Sequence, residues 1–137
     1  MNCTFFGHKD APASIKASIE KAIISLIDVG VKTFYVGNNG NFDYLVQNVL
    51  KELSCIYDMS YLIVLSRVDE VALSGEQAAT LFPEKLDFSI PKFAISKRNE
   101  WLIKKCDFAI VYVKNRYSNS YKWLERAQKK GLKIITL

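Results

Sequence analysis

Apolar residues along this chain occur in two alternating patterns. One is a short continuous run, and the other is a recurrence at helical spacing. Five apolar runs of four to six residues have the length of buried strands. They cover residues 3–6, 33–36, 61–65, 108–113 and 133–137. Between the first two runs, Ile15, Ile19, Ile23 and Ile27 recur at helical spacing. The pattern therefore predicts strands and helices in alternation.

Four helices are predicted, and local signals mark the ends of the first and the last. The first begins near Pro12, since a proline's missing N–H costs least at a helix start, and it ends at Gly30. Gly131 stops the last helix in the same way. The three later helices are predicted over residues 42–53, 93–106 and 121–130.

Residues 67–91 break this regularity. They contain Gly75, Pro83 and Pro91 and lack a strong period, and they predict a long excursion with one helical turn near residues 77–81. Excursions of this length inside a compact domain often form lids or binding segments.

Strict alternation of strands and helices predicts right-handed crossovers and a parallel sheet. The expected fold class is α/β, a Rossmann-like three-layer sandwich with a mainly parallel five-stranded sheet, forming a single domain over residues 1–137. Ligands of such sheets bind at the carboxyl ends of the strands, near the point where strand order reverses.

Composition narrows the class of protein. The chain has no apolar run of the roughly 20 residues that a membrane span needs and no N-terminal secretory pattern. Cys3, Cys55 and Cys106 lie far apart, which favours core thiols in a reducing compartment, and we expect a cytoplasmic protein without membrane contact. One histidine and isolated cysteines do not favour a zinc site or a Cys/His protease, and the GxGxxG and Walker A patterns are missing. We therefore expect no metal and no cofactor.

Charge is distributed unevenly. Residues 92–137 carry twelve Lys/Arg and three Asp/Glu, a net charge of +9, whereas residues 1–91 carry a net charge of −4. This basic third favours an anionic partner such as a nucleotide, a phosphosugar or a nucleic acid. The alternative is that the lysines only decorate solvated helix faces.

Three polar turns follow predicted strands and supply candidate ligand-binding residues. After the first strand come Gly7, His8 and Lys9, and after the second come Gly37, Asn38, Asn39, Gly40 and Asp43. After the fourth come Tyr117, Ser118, Asn119 and Ser120, while Arg98 and Asn99 lie in the helix before that strand. Glycine permits close backbone approach, helix starts offer free N–H groups to anions, and arginine binds phosphate with two parallel hydrogen bonds. The competing interpretation is a set of plain turns, helix caps and a solvated basic turn.

The order of these segments resembles a known group. TFFGHKD, FYVGNNGNFD and FAISKRNEWLIKKCDFAIVYV, followed by a polar turn and a helix with Glu125, resemble the SLOG superfamily. That superfamily joins DprA-type DNA-processing proteins to LOG nucleotide phosphoribohydrolases. The likeness covers essentially the whole chain and is greatest to a branch of small bacterial proteins with a GHR-type opening and a VGN-type second motif.

The resemblance implies a Rossmann-like sheet that binds a nucleotide or a nucleotide derivative. In LOG enzymes an arginine before the fourth strand and a glutamate after a GGxGT turn cleave the base–ribose bond. Arg98 and Glu125 fall at the matching places, but the GGxGT turn is replaced by the run from Ser118 to Lys122. Close approach to a phosphate is harder without glycine, and Lys122 would substitute as a point charge.

Three functions follow as hypotheses. The first is a sensor or accessory module that binds a nucleotide-derived phosphate ligand, with Tyr117 stacking on a base. The second is a LOG-type N-glycosidase in which Arg98 and Glu125 are catalytic. The third is DprA-like binding of single-stranded nucleic acid. A homodimer is compatible with all three.

Overall fold

A computed structural model describes residues 1–65, 80–81 and 94–137. Its strands are β1 (Asn2–Gly7), β2 (Thr33–Val36), β3 (Ser60–Val64), β4 (Thr80–Leu81), β5 (Phe108–Tyr112) and β6 (Lys133–Thr136). Its helices are α1 (Lys16–Asp28), α2 (Asn41–Ser54), α3 (Ala94–Lys105) and α4 (Asn119–Lys129), and a single 3-10 turn, Ala13–Ile15, precedes α1.

The strands form one parallel sheet in the order β4-β3-β2-β1-β5-β6. From β1 the chain first builds outward to β4 and then returns to the other side of β1 with β5 and β6. Strand order therefore reverses between β1 and β5, which pair from Cys3 with Phe108 to Gly7 with Tyr112. This reversal leaves a crevice at the carboxyl ends of β1 and β5.

Helices cover both faces of the sheet, so the sandwich has three layers. Successive strand residues point to opposite faces. Phe5 therefore packs in one core with Ile23 of α1 and Leu50 of α2. Phe6 packs in the other core with Leu102 of α3 and Ala127 of α4. Helices α1 and α2 therefore cover one face of the sheet, and α3 and α4 cover the other.

The predicted fold class is confirmed, including all five strands and all four helices. Helix α4 begins two residues earlier than predicted because Ser118 is its N-cap, accepting the Tyr121 N–H at 3.2 Å. The predicted turn of helix near residues 77–81 is wrong at its end, since Thr80–Leu81 is a sixth strand paired with β3. The remainder of the predicted excursion, and Phe93, lie outside the described residues.

Two of the three cysteines are the core thiols that the sequence predicts. Cys3 and Cys106 are buried, and burial raises the pKa of Cys3 well above its usual value and that of Cys106 to about 12. Cys55 is exposed, which corrects the expectation for this residue. It follows the last turn of α2, beyond the part of the helix that packs on the sheet.

Phe34 offers a test of the core on the α1 and α2 side. It is fully buried in β2 and its ring stacks 6.2 Å from that of Phe5. We expect Phe34→Ala to lower the free energy of unfolding by about 3–5 kcal/mol in urea titrations, because it removes buried apolar surface and leaves a cavity. Ile56→Ala, at a residue that is 75% exposed, is the control and should stay within about 0.5 kcal/mol. Equal losses in both variants would contradict this assignment of the core.

Candidate functional site

A cleft of about 640 Å³ opens at the carboxyl end of β1, near the point where strand order reverses. Its walls come from the turn after β1, the turn after β2 and the helices α3 and α4. Of the sequence-predicted site residues, it is lined by Gly7, His8, Lys9, Gly37, Asn39, Asp43, Arg98, Asn99, Ser118, Asn119 and Ser120. Segments that are far apart in the sequence thus meet where the strand order reverses.

The turn after β1 is tied to the end of β5. The His8 N–H donates to the Tyr112 carbonyl at 3.3 Å, and its Nε2 accepts the Lys114 N–H at 2.7 Å. Nε2 is therefore the acceptor nitrogen of this imidazole. The backbone N–H groups of Lys9 and Asp10 have no acceptor among the described residues, and both residues line the cleft. The turn therefore holds two backbone donors that no acceptor in the described residues satisfies.

The turn after β2 is built by one glycine and one carboxylate. Gly40 precedes α2 with a φ of +114°, a conformation that favours glycine. Asp43, in the first turn of α2, accepts the Asn39 N–H through Oδ2 at 2.9 Å. The Asn41 N–H then donates to the Lys9 carbonyl at 2.8 Å, which joins this turn to the one after β1.

A buried acid and a buried base lie side by side beneath Gly37. Asp43 is 8% exposed and Arg98 is 4% exposed. A Cβ at position 37 would lie 2.8 Å from Asp43 Oδ2 and 2.9 Å from Arg98 Cζ, so any other residue there would displace the ends of these two side chains. Burial raises the pKa of Asp43, and the Arg98 charge and the Asn39 N–H partly offset that rise.

Amide oxygens hold the Arg98 guanidinium in place. Asn99 Oδ1 accepts from Nη2 at 3.3 Å and from Nε at 3.4 Å, and Asn38 Oδ1 accepts from Nη1 at 3.5 Å. Asn38 is therefore a support for Arg98 and does not itself line the cleft. The interpretation of Arg98 as part of a solvated basic turn is wrong, because this residue is buried.

The start of α4 supplies the opposite wall. Ser118 caps the helix, and the N–H groups of Asn119 and Ser120 have no acceptor among the described residues. Lys122, Trp123 and Arg126 follow and also line the cleft. Lys122, Trp123 and Arg126 are three, four and seven residues after Asn119, a spacing that places them on the same helix face. The sequence prediction did not include Trp123 and Arg126, although this spacing identifies them. Arg126 also pairs with Glu100 of α3 at 3.2 Å.

Other predicted site residues lie apart from the cleft. Tyr117 is 95% exposed on the turn before α4 and is not a lining residue. Gly40 packs behind the turn after β1, where a Cβ would meet Lys9 Cα at 2.7 Å. Glu125 is exposed and is not among the residues that line the cleft. The cleft therefore contains Arg98 without Glu125.

Two features of the described residues bear on the site. No three His, Cys, Asp or Glu side chains in the described parts of the chain are grouped so as to hold a metal ion. None of the helices in residues 1–65 and 94–137 is long and apolar enough to cross a membrane.

Comparison with known proteins defines the class of fold. No protein-family model and no curated protein matches the sequence. The fold is a Rossmann-like α/β domain, and a solved structure shares it. The solved structure that shows this is DNA processing protein A (DprA) from Streptococcus pneumoniae, with a TM-score of 0.75 and 18% sequence identity. The match covers 98% of this chain and 49% of DprA, so the chain spans about half of that protein's length.

The raised pKa of Asp43 predicts a pH-dependent effect on stability. The folded protein binds a proton at Asp43 more tightly than the unfolded chain, so the penalty for ionisation is absent below about pH 4 and grows as the pH rises through the raised pKa. Asp43→Asn stays neutral, and we expect it to melt at a higher temperature than the native protein at pH 7 and at nearly the same temperature near pH 4. Calorimetric melts across this range test the prediction.

The matched control for these melts is Asp10→Asn, which neutralises an exposed carboxylate in the same cleft. A lower melting temperature for Asp43→Asn at pH 7 would mean that the attraction between Asp43 and Arg98 outweighs the cost of burial.

Proposed function

We propose that this chain binds a nucleotide or a nucleotide-derived phosphate ligand in the cleft at the carboxyl end of β1, as a sensor or an accessory module. One observation carries the proposal: the residues that line one cleft near the point of strand reversal include two lysines and, in two separate segments, backbone N–H groups without an acceptor among the described residues. Parallel α/β sheets bind ligands at this point, and converging N–H groups favour anions.

Lys9 and Lys122 are the cations available to a phosphate. The cleft is lined by four Lys and Arg residues and three Asp and Glu residues. Arg98 lies beside Asp43, and Arg126 pairs with Glu100. Lys9 and Lys122 have no ion-pair partner among the described residues, and each adjoins a turn with free N–H groups. A phosphate between them would also benefit from the positive end of the α4 dipole.

The N-glycosidase alternative has less support from the geometry. It needs a carboxylate near the sugar carbon where oxocarbenium character develops. Glu125, the residue matched to that role, is exposed outside the cleft lining. The carboxylates that do line the cleft belong to Asp10, Asp43 and Glu100, and none holds the position that the resemblance assigns to the catalytic acid. Binding without base–ribose cleavage is therefore the preferred proposal.

Isothermal titration calorimetry with nucleoside mono- and diphosphates and sugar phosphates tests the binding proposal. We expect at least one probe to bind, and Lys122→Ala to weaken its binding by about tenfold or more, because a charge-assisted hydrogen bond contributes about 1.5–3 kcal/mol. Lys129→Ala, at an exposed position near the other end of α4, is the control and should bind as the native protein does. Absence of binding by every probe at millimolar concentration would overturn the proposal.

A second candidate function, binding of single-stranded nucleic acid, is favoured by a different surface. Five exposed lysines lie at the edge of the sheet opposite the cleft, where α3 and α4 end and β6 begins: Lys104, Lys105, Lys129, Lys130 and Lys133. We call this group the basic edge. A row of lysines attracts a phosphate backbone irrespective of sequence, and the shared fold with a DNA-processing protein is compatible with this candidate.

Fluorescence anisotropy with a single-stranded oligonucleotide at several salt concentrations tests the basic edge. Replacing Lys104, Lys105 and Lys133 together by alanine should lower affinity and reduce the slope of log K against log salt by about 2, since each lost phosphate contact contributes about 0.7. Lys122→Ala serves as the control on the cleft side. Binding that is absent at low salt, or unchanged in the triple variant, would exclude this candidate.

A further inference from the structure

The turn after β2 contains a pair of residues whose chemical reactivity the proposed binding site does not use. Of the eight asparagines in the chain, Asn39 is the one followed by a glycine, Gly40. An asparagine side chain is attacked by the main-chain nitrogen of the next residue, and a Cβ on that residue hinders the approach. Because glycine has no Cβ, the sequence makes Asn39 the most reactive asparagine of the chain.

The hydrogen bonds around this pair leave both reacting groups available. The Asn39 carboxamide makes no hydrogen bond to the described residues, and the Gly40 N–H has no acceptor among them. The bonds of this turn engage other groups: the Asn39 main-chain N–H donates to Asp43, and the Asn41 N–H donates to the Lys9 carbonyl. Asn39 is also partly exposed and lines the cleft, so water reaches it.

The start of α2 favours the charge that develops during the attack. Gly40 is the N-cap of this helix, and the N-terminal end of a helix carries a partial positive charge. The Gly40 nitrogen must lose its proton to attack, and negative charge then passes to the oxygen of the Asn39 amide. The same end of the helix favours the carboxylate that the reaction produces.

We propose that Asn39 is a site of spontaneous deamidation in the folded protein, and that its conversion lowers the affinity of the cleft for anions. The Gly40 nitrogen forms a bond to Asn39 Cγ, the Cγ–Nδ2 bond breaks, and ammonia leaves with the proton from Gly40. Water then opens the cyclic imide at either of its two carbonyl carbons, which yields aspartate or isoaspartate. The net reaction is hydrolysis of an amide, without oxidation or reduction.

Either product adds a carboxylate to the lining of the cleft. Four Lys and Arg residues and three Asp and Glu residues line it, a formal net charge of +1 that deamidation reduces to zero. The attraction of the cleft for a phosphate falls accordingly. Isoaspartate also routes the main chain through the side-chain carbon, which lengthens the turn between β2 and α2. The effect on binding rests on the proposed function, whereas the modification itself does not.

Mass spectrometry of peptides from protein aged at neutral pH tests the modification. We expect the peptide that contains Asn39 to gain the mass difference between an amide and an acid, at comparable rates in native buffer and in urea. Asn115, an exposed asparagine that precedes Arg116 in the turn before α4, is the internal control and should remain an amide over the same period. Asn39→Gln should stay unmodified at this position, because its longer side chain disfavours ring closure.

Fragmentation spectra that distinguish isoaspartate from aspartate test the route. A mixture of the two is expected, because the imide opens at either carbon. Aspartate alone would indicate direct hydrolysis by water and would overturn the role of Gly40. Conversion of Asn39 in urea but not in native buffer would overturn the inference, because the fold would then protect the pair. Equal conversion of Asn115 would overturn it as well.

Asn39→Asp carries the charge of the product and tests the effect on binding. In calorimetric titrations with AMP and inorganic phosphate, we expect it to bind about tenfold more weakly than the native protein or worse, because like charges in one cleft repel. Asn48→Asp, at an exposed position of α2 outside the cleft lining, makes the same change of charge and should bind as the native protein does. Circular dichroism melts verify that both variants are folded.

The outcomes separate the inference from the proposed function. Equal affinities of the native protein and Asn39→Asp would overturn the effect on binding. Absence of binding by these probes and by the wider set of nucleotides and sugar phosphates would overturn the proposed function and, with it, the effect on binding. The mass measurement decides the modification in either case, since it needs no ligand.

Discussion

The pairing of β1 with β5 is the constraint on which the rest of the structure depends. Because both strands run in the same direction and lie side by side, the turns that follow them meet at one edge of the sheet. The chain builds outward from β1 in one direction and then in the other, so α1 and α2 cover one face while α3 and α4 cover the opposite face. The helices of the described residues divide between the two faces, and the cleft is the space that this topology leaves open beside the point of reversal.

Within that cleft, Asp43 and Arg98 are buried charged side chains, and the burial of Asp43 is unfavourable for the stability of the fold. Burial opposes the charge on Asp43 more strongly than Arg98 and the Asn39 N–H favour it. An apolar residue in place of Asp43 would avoid this cost, because burial disfavours the charged form of a carboxyl group. Polar groups retained against stability are common where a protein binds something, and Gly37 is the residue that makes room for them.

The sequence was sufficient to predict the strands and helices because their apolar periods are long and regular. It was less informative where geometry depends on contacts between distant segments. The pattern around Arg98 is typical of a solvated turn, and only the packing of α3 under Gly37 buries that side chain. Helix faces explain the rest: Arg126 faces the cleft and Glu125 does not, although the two residues are neighbours in the chain. The two-residue strand β4 is too short to have a period of its own.

The hydrogen bonds between the turns have a consequence for the thermodynamics of recognition. The His8 ring joins the turn after β1 to the end of β5, and the Lys9 carbonyl joins it to the start of α2. Hydrogen bonds to main-chain groups thus connect the loops around the cleft to one another. A cavity preassembled in this way loses little conformational entropy on complex formation, so more of the free energy of its contacts remains as affinity.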